Sequence, residues 1–259
     1  TVFDAEGNKS ITHFHQDAHK KGRPFRTQAQ DKFGNVWTTQ EQTWSTAELF
    51  PGVFFTKLDQ ADAFIYDGDA TFRHTRSRLT YDTFGNVTRA DADGEPDVSG
   101  DERSTSTEYT QNLSAWILGK PSLIQTLDGA GAVIAQRRFY YDGATDSAAA
   151  PTLGQLTKEE EWLNVPTPQW LSTTLTYDAY GNVKTVTDAL GRATTNTYDA
   201  TGTYLTEIKN VLGHTRTLAY DPRFGQVTSS TDQNGVTTTT TYDPLGRPSA
   251  VIGPNDTAA

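Results

Sequence analysis

Two clusters carry residue types able to bind a metal. Residues 91–102 read DADGEPDVSGDE. Oxygen ligands fall at Asp91, Asp93, Glu95, Asp97, Ser99 and Glu102, the spacing of a twelve-residue calcium loop. Pro96 stands where such a loop needs glycine, and no helical pattern flanks it, so the same residues also read as an acidic solvated loop between strands. Further upstream, His13, His15 and His19 form HxHxxxH. On a strand, His13 and His15 would point to one face with Asp17 and could share a zinc ion. No cysteine completes that site, and surface imidazoles explain the cluster equally well.

Catalytic constellations are not legible. Carboxylates are frequent because a recurrent turn needs Asp, so they do not count as acid/base pairs. No GxSxG, P-loop or dinucleotide fingerprint stands out, and the glycines fall where turns require them. The sequence therefore predicts no enzyme activity, no catalytic residue and no cofactor.

The elements that would position any site come from an internal repeat. Tyr-Asp pairs begin at Tyr177, Tyr198, Tyr220 and Tyr242, and their aspartates are Asp178, Asp199, Asp221 and Asp243. Asp188, Asn210 and Asp232 interleave with them, and each is 22 residues from the last. A glycine follows each, at Gly181, Gly191, Gly202, Gly213, Gly225, Gly235 and Gly246. Looser copies precede: Asp4 to Gly7, Asp31 to Gly34, Asp82 to Gly85, Asp91 to Gly94 and Asp128 to Gly131. Asp at the first position of a type I turn accepts a hydrogen bond from the N–H two residues on. Gly at the fourth supplies a positive φ and closes the turn with a G1 bulge. Each DxxG thus predicts a hairpin tip, with a strand of about seven residues between tips.

The strands agree with that reading. There are 42 threonines, five of them consecutive from Thr237 to Thr241, and β-branched residues favour a pleated surface over a helix. Val183, Leu205 and Val227 recur every 22 residues, one apolar position per pair of strands. Polar residues fill much of the rest, which predicts a sheet wet on one side. About 11 residues per strand gives some 20 strands, or roughly 100 Å of sheet at about 4.8 Å per strand. Open sheets rarely exceed about 10 strands without curling, so the expectation is a curved or spiralling strip whose distant strands pack on each other.

Residues 1–170 interrupt the turn signal and hold all five tryptophans: Trp37, Trp44, Trp116, Trp162 and Trp170. These are expected to pack under loops and thicken the core. Asp142 to Pro151 and Asn164 to Pro168 read as loops or linkers. Gln155 to Leu163 (QLTKEEEWL) has helix propensity, while its neighbours favour a strand.

The 259 residues include no Cys and no Met, which excludes disulfides, thiolate metal sites and cysteine nucleophiles. The net charge of −10, from 22 basic and 32 acidic residues, argues against nucleic acid as a partner. No apolar run approaches the roughly 20 residues of a membrane helix, and no signal peptide is visible in this segment. Mean hydropathy is −0.61, yet 11 % of residues are aromatic, too many for simple disorder. The lack of Met at position 1, the half-unit at Thr1 to Asn8 and the unpartnered turn after Tyr242 lead us to expect an excerpt of a longer array.

YDAYGNVKTVTDALGRATTNTYD (177–199) and YDPRFGQVTSSTDQNGVTTTTTYDPLGR (220–247) resemble the YD repeats of Rhs proteins. The resemblance covers 171–250 well, and residues 1–170 in patches: DKFGNVW (31–37), YDTFGNVTRADADG (81–94) and YYDG (140–143). TEYTQNLSAWILGKPSLIQTLD (107–128) resembles the Rhs-like regions of SpvB-type proteins and Tc toxin B components. The resemblance implies an all-β architecture, a long antiparallel strip of hairpins spiralling into part of a hollow shell. It implies an irregular Rhs-like region at 1–170 and a regular YD-repeat array at 171–259, within one continuous sheet. It also implies a bacterial product, secreted or displayed at the cell surface through a dedicated export system. The implied role is a non-catalytic section of a shell around a C-terminal toxin domain. The implied partners are the rest of that shell, its cargo and other toxin-complex subunits. The alternative is a surface adhesion module that presents Tyr and Trp to glycans.

Overall fold

The computed structural model describes residues 1–68, 71–164, 167–254 and 256. Among them lie nineteen β-strands and no helix, from β1 (Val2–Phe3) to β19 (Pro248–Ile252), joined in one sheet. Every strand pairs antiparallel with the strand before and after it in the chain. The topology is a meander, without a crossover or a Greek key.

Strand length changes along the strip. The long strands are β4 (Val36–Phe50) and β5 (Val53–Tyr66), followed by β6 (Phe72–Tyr81), β7 (Val87–Gly94), β8 (Arg103–Asn112), β9 (Ile117–Asp128) and β10 (Val133–Tyr141). Then come β11 (Leu156–Asn164) and β12 (Pro168–Tyr177). Beyond them β13 (Val183–Thr187), β14 (Ala193–Tyr198), β15 (Leu205–Lys209), β16 (Thr215–Asp221), β17 (Gln226–Thr231) and β18 (Thr237–Tyr242) hold five to seven residues each, set by the turn period. The helix propensity of 155–163 is overridden: this segment is β11, paired on both sides. Residues 165 and 166 of the expected linker lie outside the described residues.

The expectation that distant strands pack on one another is not met. Among the described residues, contacts between strands are confined to sequence neighbours. A compact monomer of 28.4 kDa would expose about 11,000 Å², whereas this chain exposes 16298 Å². The excess of about 5,000 Å² is what a sheet without a second layer leaves exposed.

The buried apolar core is correspondingly small: Phe139, Tyr140 and Tyr141 at the end of β10. It forms where the 142–155 loop folds back over the sheet. Thr110 donates to the carbonyls of Ala148 and Ala149, and Asn112 donates to that of Pro151. The tryptophans do not build a thicker core, because a single layer offers nothing to bury them against. Trp116 is 75 % exposed and Trp37 46 %. Trp162 and Trp170 face each other across β11 and β12, with the Arg138 guanidinium 3.9 Å from the Trp170 ring. Trp44 donates to the Pro24 carbonyl and carries Arg23 over its ring.

Candidate functional site

The recurring chemistry of the chain lies at its turns. In the DxxG tips the Asp N–H donates to the carbonyl four residues on, and the Gly N–H donates back to the Asp carbonyl, as at Asp178, Asp188, Asp232 and Asp243. The Asp Oδ1 accepts the second and fourth N–H groups that follow it: Tyr180 and Asn182 on Asp178, Leu245 and Arg247 on Asp243. This is the type I turn with a G1 bulge expected from the sequence. Gly202 and Gly246 both need the left-handed region, at φ 69° and 76°. Two tips differ: the Asp199 N–H reaches Tyr204, one residue further, and the Gly225 N–H donates to Asp221 across four residues. Asp91 to Gly94, expected as a tip from its DxxG pattern, is instead the end of β7, paired with β6.

The residue after the glycine completes the tip. Asn8, Asn35, Asn86 and Asn182 donate through Nδ2 to the second oxygen of their aspartate. At Arg192 and Arg247 a guanidinium Nε makes the same bond, 2.7 Å to Asp188 and Asp243. Asn and Arg both serve there because each places a donor on a carboxylate four residues back.

Tyr177, Tyr198, Tyr220 and Tyr242 stand at the ends of β12, β14, β16 and β18, all on one rim of the strip. A register shift precedes each: between Thr176 and Tyr177, Thr197 and Tyr198, Ala219 and Tyr220, Thr241 and Tyr242. At this rim each hairpin splays from the one before it, leaving a carbonyl without a ladder partner. The tyrosine hydroxyl donates to that carbonyl: Tyr81 to Leu58, Tyr141 to Pro121, Tyr177 to Leu156, Tyr242 to Val227, at 2.7–2.9 Å. Tyr198 reaches Val183 at 3.3 Å, while Tyr220 stacks on Tyr204. Tyr109, without an Asp after it, makes the same rung to Val87. Burial pushes the Tyr141 hydroxyl up to about 12, so this rung stays a protonated donor.

Successive tips on this rim also touch. The Tyr180 ring lies against Gly202 of the next Tyr-Asp tip, and the Phe224 ring against Gly246. Asn182 donates to the Gly202 carbonyl, and Asn86 to that of Leu118. The glycines serve twice, allowing positive φ and giving the preceding turn's aromatic ring a flat seat.

Asp142 is a larger version of the same device. It has φ 55° and gathers the 142–155 loop. Its carboxylate accepts the backbone N–H groups of Thr152, Leu153, Gly154 and Gln155 at 2.6–3.0 Å. Burial acts to raise its pKa, but these donors outweigh burial and hold it at about 2.

The candidate metal residues do not converge. Asp91 accepts from Arg89 and Ser104, and Asp93 is held by Nε and Nη2 of the Arg78 guanidinium. Asp101 and Glu102 accept the N–H groups of Glu95 and Gly100. The second strand, β2 (Lys9–Phe14), ends before His15, so His13, His15 and Asp17 do not line one strand, although His15 Nδ1 stands 3.7 Å from the Asp17 carboxylate. His13 and His15 contact the Phe25 ring, His19 packs on Phe54, and Asp17 caps the following turn through His19 and Lys20. Among the described residues no group of three His, Asp or Glu side chains is placed to hold a metal ion.

Two features escaped sequence reasoning. Asp62 on β5 accepts from Gln60, His74 and Arg76, which draw its pKa down against the opposing effect of burial. His74 and Arg76 meet Asp62 only through cross-strand register, which local patterns do not encode. The other feature is Trp116. Its N–H donates to the Leu113 carbonyl at φ 53°, the place in a tip that glycine occupies elsewhere. A non-glycine residue there costs about 1–2 kcal/mol.

The RHS Repeat family model matches residues 220–258. No curated protein matches the chain in sequence. Among solved structures, the crystal structure of TcdB2-TccC3 is similar with a TM-score of 0.67 at 13 % identity, over 96 % of this chain and 18 % of that one. The TcdB2-TccC3-Cdc42 crystal structure gives 0.66 at 12 % identity, over 90 % and 16 %. The Photorhabdus luminescens Tc holotoxin pore gives 0.66 at 14 % identity, over 90 % and 16 %. The chain spans less than a fifth of the length of these proteins. Fold and rim together define a YD-repeat β-strip. Residues 220–258 match the RHS repeat model, and the sheet as a whole has the fold found in the Tc toxin chains.

Proposed function

We propose that this chain is a non-catalytic wall section of an Rhs-type β-shell that encloses a toxin domain in a secreted bacterial toxin system. The observation that carries the reading is the single-layer meander, with contacts only between consecutive strands. Such a strip separates two spaces without filling either. Its likeness to Tc toxin chains over nine-tenths of its length supports the same role. The rim chemistry supports it too: tyrosine rungs, turn aspartates and ring-on-glycine contacts all join one hairpin to the next, and their hydrogen-bonding groups are used in doing so. The rest of the wall and the cargo come from other parts of the toxin system. Among the described residues no helix is long and apolar enough to cross a membrane.

The test is limited proteolysis of the full-length polypeptide. The enclosed domain is expected to survive protease concentrations that digest it when expressed alone. Opening the wall by Gly202→Ala together with Gly246→Ala should expose it. A cargo domain cut at the same rate in both contexts would overturn the reading. Binding of the intact chain to defined sugars on a glycan array, with the cargo unprotected, would favour the adhesion module instead.

A further inference from the structure

Inside the strip, β12 leaves part of an edge open. It pairs with β11 from Pro168 to Thr174, but with β13 only from Thr174 to Tyr177. The Asp188 N–H donates to the Arg192 carbonyl, on the β14 side. Backbone groups alternate along an antiparallel strand, so those of Thr187 face β12 and meet Thr174. By the same alternation Trp170 and Ser172 turn their N–H and C=O groups to this side, beyond the end of β13. Among the described residues no strand pairs with them there. Pro168, at the outer end, has no N–H to offer. Residues 168–173 reach about 20 Å past Thr187, and the 188–191 turn takes up only the first part of that length. Where other long strands outreach a neighbour, the chain closes the step. Thr56 on β5 donates to the His19 carbonyl, Arg23 lies over the Trp44 ring on β4, and Tyr109 on β8 reaches the Val87 carbonyl.

The surroundings select what can enter. Glu161 and Leu171 face each other across β11 and β12, and with Leu190 of the turn they line one cavity of about 420 Å³. Leu171 is 40 % and Leu190 77 % exposed. Three carboxylates and two guanidinium groups stand here. Arg137, opposite Glu161, pairs with Glu159, and Arg192 pairs with Asp188. Among the described residues Glu161 has no ion pair or hydrogen bond, so its charge is uncompensated. A lysine or arginine could lay its aliphatic stem on the two leucines and bring its head to Glu161. The opposite face differs. There Trp170 lies beside Trp162 with the Arg138 guanidinium over its ring, which favours an apolar neighbour and disfavours a second cation. Backbone donors and acceptors at strand spacing are matched by another extended chain. The net charge of −10 opposes a second copy of this one.

We propose that the open edge of β12 receives a short extended segment of a different polypeptide, which adds as a strand beside Trp170 and Ser172. Its residues alternate, apolar beside Trp170 and basic towards Glu161. The proposal stands apart from the shell reading, since either can fail alone.

The probe is a peptide of about six residues alternating Val with Lys, added to the intact chain and followed by fluorescence anisotropy and amide hydrogen exchange. In the free chain the Trp170 and Ser172 amides should exchange freely while those of Leu171 and Thr173 are protected. The peptide should slow the first two. In the proposed register the Val amides face β12 and the Lys amides face away. N-methylation of the Val amides should therefore weaken binding at least about tenfold, and N-methylation of the Lys amides much less. Both changes lie on the peptide, so neither can unfold the protein. Glu161→Gln, at an exposed position, should weaken binding about three- to fivefold, and so should a rise in salt. Several results would each overturn the proposal: no binding at millimolar peptide, equal binding of the two N-methylated forms, or unchanged affinity in Glu161→Gln. Protection of the Trp170 and Ser172 amides in the free monomer would show that the edge is already closed. Protection that appears only with self-association would give the edge to a second copy.

Discussion

Replacing Asp142 by asparagine tests the loop hub directly. In the native loop one carboxylate accepts four backbone N–H groups, three of them on Oδ2 and that of Gln155 on Oδ1. Asparagine keeps the shape but turns one acceptor into an NH2 group facing a donor, and removes the charge that strengthens the remaining bonds. The folded pKa of about 2 lies below the ordinary 3.8. At about 1.4 kcal/mol per unit this corresponds to at most about 2.5 kcal/mol. The carboxylate is partly open to water, so the contribution is nearer 1–1.5 kcal/mol. Because the folded pKa is depressed, the stabilisation is fully present above the unfolded value and is lost as pH falls through about 2. Hydrogen exchange read by mass spectrometry on peptides covering 150–155 reports the opening of this loop. At pH 6 the asparagine variant should exchange roughly five- to twelvefold faster, after correction for intrinsic rates. The two proteins should converge as pH falls from about 4 to 2. Equal exchange at pH 6, or a difference that persists unchanged at pH 2, would refute the assignment of Asp142 as the group that holds the loop.

Further outcomes follow from the rim. Tyr177→Phe removes one rung and leaves the Leu156 carbonyl without its donor, which should cost about 1 kcal/mol in urea melts; no loss would mean that water replaces the hydroxyl freely. Gly202→Ala should destabilise more than Gly191→Ala. Both have positive φ, but only at Gly202 would the new methyl meet the Tyr180 ring, while at Gly191 it meets open space; equal melting temperatures would reject the ring seat. Asp62→Asn should weaken the attachment of β6 by about 1 kcal/mol or more through loss of the Arg76 and His74 bonds, seen as faster exchange in 72–80. Millimolar calcium should leave the melting temperature unchanged, because Asp91 and Asp93 are already engaged by Arg89 and Arg78; a shift abolished by Asp93→Asn would show a site formed by rearrangement.

The hairpin tips were legible because their chemistry is local. Asp, Gly and the donor that follows sit within five residues, so spacing alone locates them and sets the length of the strands between. The role of the tyrosines was not legible, since Tyr177 and Leu156 are 21 residues apart and meet only after two strands have paired. The Asp62 cluster was hidden for the same reason: His74 and Arg76 reach it across the β5–β6 register. The helix propensity of 155–163 misled because Glu and Lys are good helix formers wherever packing does not decide, and here strand neighbours on both sides decide. The tryptophans were expected to be buried on the assumption of a second layer. With one layer, size and hydrophobicity no longer predict burial, and Trp116 stands outside.

The meander also bears on synthesis. Each strand's partners are the one made just before it and the one made just after, so the sheet can lengthen at a single growing edge while the chain leaves the ribosome. Among the described strands none waits for a distant mate, which removes the slow closure of long loops that delays most large β-proteins. The exposed edge moves forward with translation, and each Tyr-Asp hairpin, once added, latches to the one before it through its hydroxyl. Synonymous codon changes that slow translation should therefore leave the yield of this sheet largely unaffected, unlike that of a Greek-key domain of equal length.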